Sequence, residues 1–76
     1  MNNPRRKNLQ VLLTQLAEIR DTLEAIKDEE EEYRDNMPEN LQGSERYEKV
    51  DAACDSLYEA VSNLEEVVEN IETAIE

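Results

Sequence analysis

The densest chemistry in this chain is the run Asp28-Glu29-Glu30-Glu31-Glu32, with Asp35 close behind. On a helix, residues three and four apart are neighbours, so Asp28, Glu31, Glu32 and Asp35 are expected along one side. Carboxylates so arranged suit three uses. They could take a hard divalent cation through oxygen ligands. They could mimic a phosphate backbone and occupy a groove built for nucleic acid. Or they could form a solvated acidic end. A calcium loop is disfavoured, because Met37 stands at the third position counted from Asp35, where an oxygen ligand is needed. No metal or other cofactor is therefore expected. Asp28, Glu29, Glu31, Glu32 and Asp35 are the candidate contacts to a basic protein partner.

The remaining reactive types are sparse. The chain has no His and one Cys, Cys54, which excludes an internal disulfide framework. Cys54 lies on an apolar row, where a thiol behaves as a small hydrophobe. There is no glycine-rich phosphate loop, no serine motif and no second group to raise or lower a carboxylate pKa inside a pocket. Catalysis is not expected. The basic start, Arg5-Arg6-Lys7, reads as an offset for acidic residues at the other end of the fold.

Charge narrows the partners. Twenty Asp and Glu against eight Lys and Arg leave the 76-residue chain at −12. A field of that sign disfavours nucleic acid and anionic membrane and favours cationic protein surfaces. The first apolar stretch is broken by Gln10, Thr14 and Gln15, so neither a secretory leader nor a membrane span is expected. A cytoplasmic location follows as the expectation.

The elements that must carry these groups are set by apolar spacing. After Ser44, apolar residues fall at Tyr47, Val50, Cys54, Leu57, Val61, Leu64, Val68, Ile71 and Ile75. In the first half they fall at Leu9, Leu12, Leu16, Ile19, Leu23 and Ile26, then Tyr33 and Met37, with Glu30 interrupting. A period of 3.5 makes a coiled-coil seam. Asn3 is read as an N-cap with Pro4 at the first helical position, and Pro38 ends the helix by disfavouring helical geometry at Met37. Helix one is placed at about 4–36 and the connection at about 37–43, with one short helical turn allowed. Gly43 is the obvious place for an unusual backbone angle. Ser44 caps helix two, placed at about 44–76. Equal lengths and a short connector predict one all-α domain, an antiparallel two-helix coiled-coil hairpin over residues 1–76.

With Leu9 and Tyr47 as heptad position a, the e rows oppose basic Arg20, Lys27 and Arg34 to acidic Asp51, Glu65 and Glu72. Arg20–Glu65 and Arg34–Asp51 are the expected pairs. The layers beside the turn, Glu30 with Val50 and Tyr33 with Tyr47, are expected to be the weaker ones. The g row of helix two, Ala53, Ala60, Val67 and Ala74, widens its apolar face beyond what one partner helix needs. That points to pairing of two hairpins into a homodimeric four-helix bundle across this row.

The segment Asp35-Asn36-Met37-Pro38-Glu39-Asn40-Leu41-Gln42, then Ser44-Glu45-Arg46 and an Ala/Leu/Glu-rich helix, resembles small acidic helical proteins carried by phages and integrative elements of Gram-positive gut bacteria. The resemblance spans residues 28–76. It implies a mobile-element origin in a bacterial host cell. By that resemblance the chain would be an inhibitor of host defence, of anti-CRISPR or anti-restriction type. The alternative is a self-assembling structural or adaptor bundle whose acidity serves solubility.

Overall fold

A computed structural model describes all of residues 1–76. Helix α1 spans Asn3–Asp35, a 3-10 turn spans Glu39–Leu41, and helix α2 spans Glu45–Ala74. The two helices pack against each other as a hairpin measuring 59 × 15 × 13 Å.

Local chemistry sets the ends. The N-cap of α1 is Asn2, one residue before the expected Asn3: its side-chain Oδ1 accepts the Arg5 amide at 2.9 Å. Pro4 still sits in the first turn, where its missing N–H leaves nothing unbonded. Ser44 caps α2 as expected, its Oγ accepting the Tyr47 amide at 3.2 Å. At the other end of α1 the Asn36 amide donates to the Glu32 carbonyl at 3.0 Å, and Pro38 turns the chain out with extended backbone. Gly43 does not supply an unusual angle. No residue has positive φ, and a Cβ on Gly43 would meet open space. The 3-10 turn reverses the chain with ordinary geometry.

The seam differs from the expected one on α1. On α2 the a and d rows face the partner helix: Cys54 and Val61 are buried, and Leu57, Leu64, Val68 and Ile71 are half-buried. On α1 the half-buried residues are Arg6, Leu9, Leu13, Leu16, Ala17, Arg20, Leu23, Lys27, Glu30, Glu31 and Arg34. Those are the a and e rows, joined by Ala17 and Glu31 of the adjoining b row. The d row is outside, with Leu12 45 %, Ile19 55 % and Ile26 48 % exposed. Helix α1 is thus rolled toward its e row. Leu13 and the aliphatic stems of Arg20, Lys27 and Arg34 cover α2 while the charged heads reach water and carboxylates.

The turn end is also tighter than expected. Met37 and Cys54 are buried there, whereas no residue of α1 is fully buried. Met37 is the last apolar residue before Pro38. Past the helix end it lines a recess with Tyr33, Asn36, Pro38, Leu41 and Arg46.

Candidate functional site

Two cross-helix contacts fix the sidedness of the hairpin. Arg34 Nη1 donates to Asp51 Oδ1 at 3.0 Å, joining the e rows as expected. Arg46, on the g row of α2, donates to the Tyr33 hydroxyl, and its guanidinium lies 5.7 Å from the ring centroid. That contact joins the g row of α2 to the d row of α1. Two recesses tell the same story. Glu24 and Lys27 share one with Tyr58, Ser62 and Glu65; Tyr33 and Asn36 share the other with Arg46. One side of the hairpin therefore carries the b and e rows of both helices. The opposite side carries the d and g rows of α1 and the g and c rows of α2.

The two sides differ in charge. All ten carboxylates from Glu45 to Glu76 stand on the b, e and f rows of α2. Its g row reads Arg46, Ala53, Ala60, Val67, Ala74, and its c row reads Lys49, Ser56, Asn63, Asn70. On α1, Glu29 is the one carboxylate of the d and g rows, with Arg5 at the far end. So a protein of charge −12 presents one face with three cations and a single carboxylate.

Two apolar rows run along that face, Leu12, Ile19 and Ile26 on α1 and Ala53, Ala60, Val67 and Ala74 on α2, with polar rows flanking them. A shallow groove of about 440 Å³ runs over Glu18, Ile19, Thr22, Leu23 and Ile26, with Glu18 at its rim. Of the expected interface row, Ala53 and Ala60 are half-buried within the hairpin, while Val67, 44 % exposed, and Ala74 are open. The Ala53–Ala74 row and the Leu12–Ile26 row lie side by side. Sequence spacing alone found the first and not the second.

The acidic cluster is partly engaged within the chain. Lys27 Nζ lies 3.1 Å from Asp28 and 3.4 Å from Glu31, and Arg34 Nε lies 3.0 Å from Asp35. Glu29 and Glu32 make no ion pair, and no three carboxylates come together closely enough to hold a metal ion. Exposed pairs of this kind each contribute about 0.2–1 kcal/mol at most. Arg20 turns to Asp21 at 3.4 Å and not to Glu65. Arg5, Arg6 and Lys7 form no ion pair with Glu72 or Glu76. Arg6 instead donates to Asn3 Oδ1 at 3.4 Å.

Three groups shift upward: the hydrogen bonds from Arg34 to Asp35 and Asp51 raise its guanidinium, which stays charged at any working pH, and two others shift for different reasons. The hydrogen bond from Lys27 to Asp28 raises its pKa above the usual 10.5, against a smaller desolvation effect and with help from Glu31. Burial pushes the Cys54 thiol above its usual 9.0, opposed by the Arg34 charge. Both groups therefore hold protons in the folded chain that the unfolded chain releases. Stability falls with pH wherever the folded state binds more protons. The urea midpoint is expected to be level between pH 7 and 8 and to drop between pH 9 and 11. Replacing Cys54 with Ala should reduce that drop. An unchanged midpoint from pH 8 to pH 11 would contradict the burial of this thiol.

Comparison with protein-family models, with curated proteins and with solved structures gives no match. No helix is long and apolar enough to cross a membrane.

Proposed function

We propose that the chain is a non-catalytic protein-binding module, working in the cytoplasm of a bacterial host cell. Two hairpins join into a homodimeric four-helix bundle. The acidic rows, turned outward, dock on a basic surface of a larger protein. The observation that carries this reading is the separation of charge from apolar surface: carboxylates crowd three rows of α2 and leave the g and c rows, outside the hairpin's own seam, free of them. A protein acidic only for solubility has no need to clear a face. The docking surface would include Glu32, which no cation of the chain engages, while Glu29 lies at the edge of the face that the second copy covers. By the resemblance of the turn motif, the partner would be a nucleic-acid-binding defence enzyme whose groove the acidic rod occupies.

A second reading is favoured by the ion pairs themselves. Asp28, Glu31 and Asp35 are already matched by Lys27 and Arg34. In that case the bundle is a self-assembling adaptor. The two readings separate in one experiment. Protein captured from a host lysate at 50 mM salt would be compared with that captured by a Glu29→Gln, Glu31→Gln, Glu32→Gln variant, and with capture at 500 mM salt. Docking by charge requires both changes to remove the partner, since screening shortens the reach of surface charge to a few ångströms. Capture indifferent to both would leave the adaptor reading.

A further inference from the structure

The carboxylate-poor face, with Glu29 on it and Glu18 at the rim of its groove, has a shape and a register that specify what covers it. The hairpin exposes 5709 Å². A compact folded monomer of its 8.8 kDa mass would expose about 4,800 Å². The excess, roughly 900 Å², is on the order of what each partner contributes to a standard interface. The excess has a place to go, because Leu12, Ile19 and Ile26 stand in a row at seven-residue spacing beside the Ala53–Ala74 row.

The Tyr33–Arg46 contact sets the level of each pair along the rod. Stepping seven residues back on α1 and seven forward on α2 puts Ile26 level with Ala53, Ile19 with Ala60, and Leu12 with Val67. One row is large and the other mostly small. A second copy turned about a two-fold axis parallel to the rod lays each large row on the other copy's small row at the same level. A two-fold axis across the rod would instead set large on large and small on small, leaving a gap along α2. Cores fill best when large and small residues face each other.

Resting on the dimeric bundle proposed above, we infer its arrangement: α1 of each copy packs antiparallel on α2 of the other, with Ile19 seated over the partner's Ala60 and Ile26 over the partner's Ala53. Charge agrees with that placement. Glu29, the one carboxylate on the face, comes level with the partner's Lys49, and Arg5 comes beside the acidic end of the partner's α2. No other carboxylate is brought toward its own kind across this face. An unrelated amphipathic helix would gain the apolar contacts but not this matched register.

Single-cysteine chains test the arrangement. In a Cys54→Ala background, Ile19→Cys and Ala60→Cys chains would be oxidised separately and as an equal mixture. The expected result is a disulfide-linked species joining the two different chains in the mixture, with Ile19→Cys alone unlinked. Efficient self-linking of Ile19→Cys would put α1 on α1 and overturn the inference. So would absence of linking in a mixture that still sediments as a dimer. Should Cys54→Ala weaken the fold, the same chains with the buried Cys54 retained give the same readout by mapping of the linked peptides. Sedimentation of the unmodified chain distinguishes the two levels. A monomer at 100 µM ends the bundle itself, whereas a dimer with the wrong link ends only this register.

Discussion

An Ile19→Glu chain is expected to be monomeric at concentrations where the unmodified chain is dimeric. Its helix content should be nearly unchanged when the chain is concentrated or kept cold. The reasoning starts from exposure: Ile19 is more than half open in the single hairpin, so a glutamate there costs the hairpin little. In the bundle the same position lies over the partner's Ala60, and the two-fold puts two carboxylates into one apolar interface. Burying an unpaired charge costs several kcal/mol. Two such costs outweigh what an interface of this size yields in net affinity. Association weakened by at least about 100-fold, roughly 2.7 kcal/mol or more, is the expected reading by sedimentation equilibrium. A comparison variant, Glu59→Gln on the f row of α2, should leave association unchanged or strengthen it. If Ile19→Glu sediments like the unmodified chain, the apolar row of α1 is not the joined surface.

Val61→Asp is expected to remove the fold. Val61 is one of the three buried residues of the chain, and it sits mid-way along α2. A carboxylate there has Lys27 in the neighbouring recess but also Glu24 and Glu65. The local field is thus no help to another negative charge. A buried charge without a dedicated partner costs about 3–5 kcal/mol, against a total stability of about 5–15 kcal/mol even for ordinary domains. With a core this thin, far-UV circular dichroism at 25 °C should fall toward that of an unfolded chain. Ser62→Asp adds the same charge one residue along, at an exposed position. Its helix signal should stay within about 10 % of the unmodified chain, since surface changes are usually within about 0.5 kcal/mol. Equal loss from both variants would mean that net charge, and not burial, limits stability.

These two positions also mark how far the sequence could be read. The hairpin, the Ser44 cap, the stop at Pro38 and the Arg34–Asp51 pair all follow from local rules: apolar period, capping chemistry, the proline ring and opposed e rows. The roll of α1 does not. Heptad reading chooses the most apolar flank, and Leu12, Ile19 and Ile26 are more apolar than Leu13, Arg20 and Lys27. What decides the roll is a sum over the whole rod. The e row brings long methylene stems onto α2, and one of its cations, Arg34, reaches Asp51 of the acidic e row of α2. Buried stems with solvated heads count for little on a hydropathy scale and for more in a packed helix pair. Met37 is buried as its place in the apolar row implies, although it lies past the end of α1.

The candidate face was half legible. The Ala53–Ala74 row stood out because Val67 breaks a run of small residues. The carboxylate-free c row of α2, Lys49, Ser56, Asn63 and Asn70, is equally plain in the sequence. It becomes meaningful only once the Tyr33–Arg46 contact places it on the side with Leu12, Ile19 and Ile26. Acidic residues, read singly, point to a partner. Their absence from one side is the stronger signal, because like-charged copies associate only where their charges have been moved out of the way.

Every proposal above requires that α1 and α2 of one chain lie side by side in opposite directions. Spin labels at Asn8 and Glu72, both exposed, test this in a sample diluted with unlabelled chain, so that only distances within one molecule are read. Packed helices run about 10 Å apart, so with label reach the expected separation is about 15–25 Å. A continuous or opened rod would place the same labels more than about 80 Å apart at 1.5 Å per residue. A distribution centred there would contradict the hairpin and everything built on its two sides.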